Sequence, residues 1–313
     1  MSPLLAEKIN DLFASQLSEW ELAKTNYEQL KSVKTKRIGF GSFDVLVQFN
    51  PERIRSSAAK VDAKSVEARP CFLCKANRPA QQKDLIFDEN YTILVNPFPI
   101  FHRHLTITSN KHIDQRIRNN FSDMLTLSAA LPEFVVFYNG PQCGASAPDH
   151  LHFQAGETGF IPLEHDFLKG SLTERIALKD GIEIWLWKKY LRGIISLKGK
   201  ERKGLLKAFE DFYLKMSEIQ PDRPEPMLNI LAYSHKDGWT IHIIPRKAHR
   251  PAQFFNEGSG QILVSPASVD LGGVMITARE EDFERLNKDN LKDIFSQLCF
   301  NETEMETLIK GYL

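Results

Sequence analysis

The sequence predicts an α+β fold of mainly antiparallel sheets flanked by helices, arranged as two related halves behind an N-terminal helix. Three observations carry that expectation. Apolar residues alternate in short runs, as Phe43, Val45, Val47 and Phe49 do, which is the period of a strand with one buried face. Elsewhere they recur at helical spacing: Leu5, Ile9, Leu12, Phe13, Leu17 and Trp20, and later Leu205, Leu206, Phe209, Phe212, Tyr213, Met216 and Ile219. Finally, His104-Leu-Thr-Ile-Thr-Ser-Asn-Lys-His112 and His242-Ile-Ile-Pro-Arg-Lys-Ala-His249 are both strand patterns flanked by histidines, which suggests a duplicated sheet unit.

The elements follow in order. Ser2 as cap and Pro3 in the first turn open a helix that the apolar spacing carries to about residue 30. A strand over 43–49 precedes a polar, irregular stretch, 50–70, that ends in Arg69-Pro70. Strands are expected over 91–95, 104–108 and 134–138, with a helix over 121–131 stopped by Pro132. Asn139-Gly140-Pro141 turns the chain into a run of small residues and then a strand over 150–154. In the second part, the helix over 205–219 is closed by Pro221, Pro224 and Pro226. Strands are expected over 228–233, 239–244, 261–264 and 274–277, then helices over 281–287 and 290–298 and a short tail helix after Asn301. The division expected is an N-terminal helix (1–35), a first half (36–170) and a second, degenerate half (171–313).

Composition narrows the function classes. A chain of 313 residues with 42% hydrophobic and 26% charged residues is an ordinary globular protein. Its formal net charge of +0 argues against nucleic acid or an anionic membrane as the main partner. No apolar run approaches the roughly 20 residues of a membrane span, and the N-terminus lacks a signal-peptide core. Four cysteines in so long a chain do not make a disulfide framework. A cytoplasmic protein is the expectation.

The chemistry concentrates in Cys143-Gly-Ala-Ser-Ala-Pro-Asp-His-Leu-His-Phe-Gln154. On a strand, His150, His152 and Gln154 share one face while Leu151 and Phe153 turn to a core. The preceding Gly144, Ala145, Ser146 and Ala147 let a phosphate or ribose approach the backbone. Upstream, Cys71-Phe-Leu-Cys74 has the spacing of two thiolates on one zinc, and His112 and His150 are the candidates to complete a tetrahedral Cys₂His₂ set. A redox pair is the rival reading. That reading wants the first cysteine at a helix N-terminus, whereas Pro70 before and Lys75-Ala-Asn-Arg-Pro79 after make a knuckle-like setting.

Taken together these motifs resemble the galactose-1-phosphate uridylyltransferase branch of the histidine-triad superfamily. The matching pieces run in order: Cys71-x-x-Cys74-x-x-Asn77-Arg78, Asn96-Pro97-Phe98-Pro99, the strand ending at His112, Asn139 with the small-residue loop, and His150-Leu-His152-Phe-Gln154. The resemblance implies histidine-triad-like halves, with His152 as the nucleophile that takes up a nucleotidyl group and Gln154 as a hydrogen-bond donor to its phosphate. It also implies one structural zinc on Cys71, Cys74, His112 and His150. Asn139 and Asn96 match asparagines that contact the ribose or its loop. The spacing from Ser146 to His152 differs by one residue from the family serine, which weakens Ser146 as a phosphate ligand. The second half is similar to the phosphorylases of the branch, through Asn229-Ile-Leu, Trp239, Ile244-Pro245-Arg246, and Ser265-Pro266-Ala267 followed by Asp270-Leu-Gly-Gly273.

Transfer through an imidazole splits one displacement at phosphorus into two. Charge building on the non-bridging oxygens calls for donors: Gln154, the amides from Gly144 to Ser146, and a cation. Arg246 and Lys247 are the first candidates for that cation, with Arg250, Arg103 and Lys111 behind them. Leu94, Phe98 and Ile100 are candidates to wall the base. The expected function is a nucleotidyltransferase of phosphorylase type. Its expected donor is a GDP-hexose or a dinucleoside polyphosphate, its acceptor phosphate or a sugar phosphate, and a homodimer is among the assemblies allowed. Three alternatives stand beside it: a hexose-1-phosphate uridylyltransferase, a hydrolase using the same histidine (which would carry a third histidine where Gln154 stands), and a non-catalytic, zinc-stabilised nucleotide-binding protein.

Overall fold

The structure is a computed structural model that describes residues 3–54 and 63–310. Ser2, the expected cap, and part of the irregular stretch lie outside the described residues. A ten-stranded sheet forms the centre. In chain order its strands are β3 (Asp84–Ile86), β4 (Tyr91–Val95), β5 (Leu105–Ser109), β6 (Phe134–Asn139), β7 (His152–Glu157), β8 (Thr173–Lys179), β9 (Ile182–Trp187), β10 (Ile195–Gly199), β11 (Leu228–His235) and β12 (Gly238–Pro245). A smaller sheet joins β1 (Lys34–Gly39) and β2 (Asp44–Phe49) to β13 (Val274–Thr277), which lies parallel to β2. The helices are α1 (Pro3–Glu19), α2 (Glu21–Leu30), α3 (Ala63–Glu67), α4 (Phe121–Ala130), α5 (Pro162–Lys169), α6 (Arg202–Ile219), α7 (Ala252–Phe255), α8 (Ser268–Leu271), α9 (Glu280–Arg285), α10 (Lys288–Leu298) and α11 (Glu302–Lys310).

The strand order of the large sheet is β3-β4-β5-β7-β6-β11-β12-β10-β9-β8. Read from either edge to the centre, each set of five strands follows the same plan: first, second, third, fifth, fourth. The doubled unit expected from the histidine-flanked strands is therefore present as topology, and the two sets meet where β6 pairs antiparallel with β11, Asn139 opposite Asn229.

Alternation along the strands sends side chains to two cores. Phe134, Val136 and Tyr138 of β6 and Phe153 and Ala155 of β7 pack beneath α4 and α6, where Phe121 and Phe209 stack at 3.8 Å. Val135 and Phe137 face the other side, with Val45, Val47, Ile276 and Phe295. His152 and Gln154 alternate with Phe153, so they fall on this second face, opposite α4 and α6.

Several expectations are corrected. The N-terminal helix is two helices, because Trp20 leaves the helical region (φ −117°, ψ 99°) and buries its ring. Residues 261–264 form no strand: the Ile262 amide bonds the Gln253 carbonyl and the Leu263 amide bonds Asp282, so the segment's hydrogen bonds are spent on a helix and a carboxylate rather than on a ladder. The strand bearing Gln154 begins only at His152, and His150 sits in the preceding turn, its amide on the Ala147 carbonyl. The extended segments β1, β3, β8, β9 and β10 lie where no element was expected. Among the described residues no helix is long and apolar enough to cross a membrane.

Candidate active site

A cavity of about 830 Å³ opens on the second face of the sheet. Its floor carries Thr106, Phe137, Asn139, His152 and Gln154 from three adjacent strands. Gly144, Ala145 and Ser146 form one rim, and Trp20, Leu22, Phe72, Leu94, Pro97 and Phe98 form an apolar wall. The polar end is lined by Arg53, His249, Arg250, Ser265 and Asp270. A volume of this size suits a nucleotide with a substituent on its phosphates.

His152 is buried and its orientation is defined. Its Nδ1 lies 2.8 Å from the His150 carbonyl oxygen. A carbonyl only accepts, so Nδ1 carries the hydrogen and Nε2 holds the lone pair. Burial pushes the imidazole down to about 4, which keeps the ring neutral. The strand start that bears it is stapled by Gln115, fully buried, whose Oε1 accepts from the His152 amide (2.8 Å) and whose Nε2 donates to the carbonyls of His152 (3.0 Å) and Asn139 (2.9 Å). Nothing in the sequence pattern marks Gln115, because it comes from a loop remote in the chain.

The small-residue loop is held by the second set of strands. The Asn139 Oδ1 accepts from Asn229 Nδ2 (2.9 Å), the Ser268 amide (2.9 Å) and Ser268 Oγ (2.6 Å), leaving its own amide nitrogen to offer. Asn229 Nδ2 also donates to the Cys143 carbonyl at 2.8 Å. Gly144 has φ +97°, and a Cβ there would lie 2.6 Å from the Ala267 Cβ, so only glycine fits. The Arg69 guanidinium donates to the Ser146 carbonyl (3.3 Å) and pairs with Asp149 (3.0 Å). Asn96 uses both ends of its carboxamide within the protein, accepting from the Phe98 amide and donating to Thr106 Oγ1.

The cations are placed differently from the expectation. Arg246 does not line the cavity: it is fully buried, and its guanidinium donates to Asn229 Oδ1 and to the carbonyls of Pro266, Ala248 and His249 at 2.8–3.0 Å. Lys247 pairs with Glu304 at 3.1 Å, also away from the cavity. Lys111 does not line it either, and Arg103 is engaged with Glu157 and Glu133. The arginines that do line it are Arg53, Arg69 and Arg250. Burial lowers Arg53 to about 10, which leaves it a cation at neutral pH. Arg246→Leu should therefore act on folding, lowering stability by about 3 kcal/mol because it orphans four buried acceptors. Lys247→Ala should leave both folding and ligand binding near wild type. Thermal melts and nucleotide titrations of the two variants check this, and a selective loss of binding in Lys247→Ala would contradict the geometry.

Beside the cavity Cys71, Cys74, His112 and His150 converge, their ligating atoms all within 4.8 Å of one another. Cys74 Sγ lies 3.2 Å from His112 Nδ1, Cys71 Sγ 3.3 Å from His150 Nδ1, and the two Nδ1 atoms are 3.3 Å apart. A tetrahedral ion with bonds of about 2.3 Å to sulfur and about 2.0 Å to nitrogen has S–N edges near 3.5 Å and an N–N edge near 3.3 Å, so the donor set fits a metal ion. His150 is also held from behind: its Nε2 donates to the Ser109 carbonyl (2.9 Å), which leaves Nδ1 free to ligate. The two cysteines are not bonded to each other, and a single 3-10 turn, Lys75–Asn77, follows them in place of the helix a redox pair would want.

Comparison with known proteins agrees with this arrangement. Residues 12–157 match a family model described as a domain of unknown function, DUF4922, and residues 170–312 match the GDPGP1-like, C-terminal domain. Diadenosine 5',5'''-P1,P4-tetraphosphate phosphorylase 2 of Saccharomyces cerevisiae is 27% identical over 184 residues, 53% of this chain and 54% of that protein, so the match spans about half the length of the curated relative. The crystal structure of yeast Ap4A phosphorylase Apa2 in complex with Ap4A has the same fold, with a TM-score of 0.63 at 18% identity over 94% of this chain and 96% of that one. Apa2 without that ligand gives 0.58 at 16% identity, covering 91% and 97%. With its doubled sheet and with His152 and Gln154 on the cavity floor, the chain has the fold of yeast Ap4A phosphorylase Apa2 and carries a GDPGP1-like C-terminal domain, and its similarities fall in the galactose-1-phosphate uridylyltransferase branch of the histidine-triad superfamily.

Proposed function

We propose that the chain is a nucleotidyltransferase of phosphorylase type that works through a nucleotidyl group carried on His152. The observation that supports this most is the tautomer of His152: its Nδ1–H is held by the His150 carbonyl, so a lone pair on Nε2 is available in a cavity that Gln154 and the Gly144–Ser146 loop also line. In the first displacement that lone pair attacks the α-phosphorus of a nucleoside diphosphate hexose or a dinucleoside polyphosphate. The bond from phosphorus to its bridging oxygen breaks, and the hexose 1-phosphate or nucleoside triphosphate leaves with the electron pair. In the second, an oxygen of inorganic phosphate attacks the same phosphorus, the P–N bond breaks, and a nucleoside diphosphate is released with neutral His152 restored. Gln154, the loop amides and the Asn139 amide act as donors to the phosphoryl oxygens and ribose, and Arg53 and Arg250 replace Arg246 and Lys247 as the cationic end.

Residues 36–170 are read as the half that supplies the reacting side chains, and residues 171–313 as the half that braces them through Asn229 and Ser268. The four-residue cluster is read as a structural zinc site. Its role is to tie the knuckle to His150, whose backbone carbonyl in turn orients His152.

The donor is expected to be a GDP-hexose first and a dinucleoside polyphosphate second. Steady-state kinetics of both donor classes, with phosphate or galactose 1-phosphate as acceptor, test the reading. Phosphate-dependent release of a nucleoside diphosphate is the expected result, with kcat/KM at least tenfold higher for one donor class, a factor that one or two pocket contacts supply. Turnover restricted to UDP-glucose with galactose 1-phosphate would replace it with a uridylyltransferase.

A further inference from the structure

We propose that His104 is a positioning residue that, together with Asn96, locks the Gln154 carboxamide with its oxygen turned into the protein and its NH₂ toward the cavity. The inference starts from a main-chain amide, which can only donate. The buried Ile100 N–H lies 3.2 Å from His104 Nδ1, so Nδ1 is the acceptor of the ring. A neutral ring then carries its hydrogen on Nε2. That nitrogen is 3.0 Å from Gln154 Oε1, and it therefore donates to the oxygen. His104 is fully buried against the rings of Phe101 and Phe137. Burial and the Arg53 charge hold its imidazole down to about 3, which keeps the ring neutral.

A second relay reaches the same oxygen. The Phe98 amide donates to Asn96 Oδ1 at 2.9 Å, so the Asn96 nitrogen is the donor end. It lies 3.0 Å from Thr106 Oγ1 and 3.4 Å from Gln154 Oε1. A flipped Gln154 would set its NH₂ against two N–H donors and lose both bonds. The orientation of this amide thus follows from two backbone hydrogens, and it leaves Nε2 as the end facing the cavity that Gln154 lines. At this position the site presents only donors, which suits a non-bridging phosphoryl oxygen and disfavours a hydroxyl needing an acceptor.

The phosphate contact rests on the nucleotidyl-transfer reading, but the lock itself does not, and the test separates them. Affinity for GMP and AMP is measured by calorimetry for wild type, His104→Phe, Gln154→Ala and the double variant. His104→Phe should weaken nucleotide binding about tenfold, the worth of one buried donor, while adding nothing in the Gln154→Ala background. His104→Gln, which keeps an N–H near the Nε2 position, should recover most of the loss. If His104→Phe does not fold, Asn96→Leu takes its place in the cycle. Equal losses in both backgrounds would overturn the proposal, as would ¹⁵N-histidine spectra showing His104 protonated on Nδ1. Non-additive binding without phosphorolysis would leave the lock standing and remove the phosphorylase reading. Phosphorolysis with additive losses would do the reverse, and if the wild-type chain binds neither nucleotide the phosphate contact falls and the ¹⁵N-histidine spectra decide the lock.

Discussion

His152→Gly should abolish nucleotidyl transfer, by about four orders of magnitude or more, while leaving the protein folded. The size of the effect follows from the role: without the imidazole no covalent intermediate forms, and the remaining donors cannot supply a nucleophile. The expectation of an intact fold follows from the geometry. The side chain makes one hydrogen bond, to the His150 carbonyl, whereas the two bonds that anchor the strand start run from Gln115 to the backbone of residue 152. Those survive the substitution, and the space vacated opens onto the cavity, where water can enter it. Two measurements check this. Wild type incubated with a labelled donor and no acceptor should carry an acid-labile, base-stable adduct on His152. The variant should show no adduct with a thermal melt close to wild type. Near-normal transfer by the variant would mean direct in-line displacement by phosphate instead.

Cys74→Ser should remove the metal and much of the local stability together. Purified wild-type protein should contain about one zinc per chain, and the variant almost none. The melting temperature should fall by roughly 10 °C, the equivalent of several kcal/mol in a chain of this size. The reason is that the knuckle has little apolar packing of its own. Its apolar cluster consists of Cys71, Leu73 and Ala147, with Cys74 packed against them, far too small to offset the entropy of ordering the segment. Transfer should weaken as well, since the carbonyl that orients His152 belongs to His150, a member of the same four-residue cluster. A Cys71–Cys74 disulfide with no metal in freshly reduced protein would defeat this expectation and restore the redox reading.

Local chemistry was legible where it depends on spacing. Alternation placed Leu151 and Phe153 in the core beneath α4 and α6 and sent His152 and Gln154 to the opposite face, because a strand has only two faces. Cys-x-x-Cys with two remote histidines named the four side chains that the structure gathers within 4.8 Å. Less was legible at the edges. The strand β1, Lys-Thr-Lys-Arg-Ile-Gly, lies mostly exposed beside β2, so selection for burial has left no period to read. Trp20 interrupts a helical pattern because its ring is wanted in the cavity wall, a demand that local propensity does not express.

The cationic end of the cavity shows most clearly what the sequence by itself could not decide. Arg246 and Lys247 stand in a strand-end motif, and nothing in their neighbours distinguishes a ligand from a strut. The tertiary structure decides it by supplying four acceptors around the Arg246 guanidinium and a glutamate for Lys247, while bringing Arg53 and Arg250, about two hundred residues apart in the chain, to the same wall. The sequence by itself determined the strand periods, the helical faces, the knuckle and the residue types that carry the chemistry, since each is written in spacings of a few residues. Which arginine meets the cavity and which amide end faces it are set by partners that only folding brings within hydrogen-bond distance, and no local pattern encodes them.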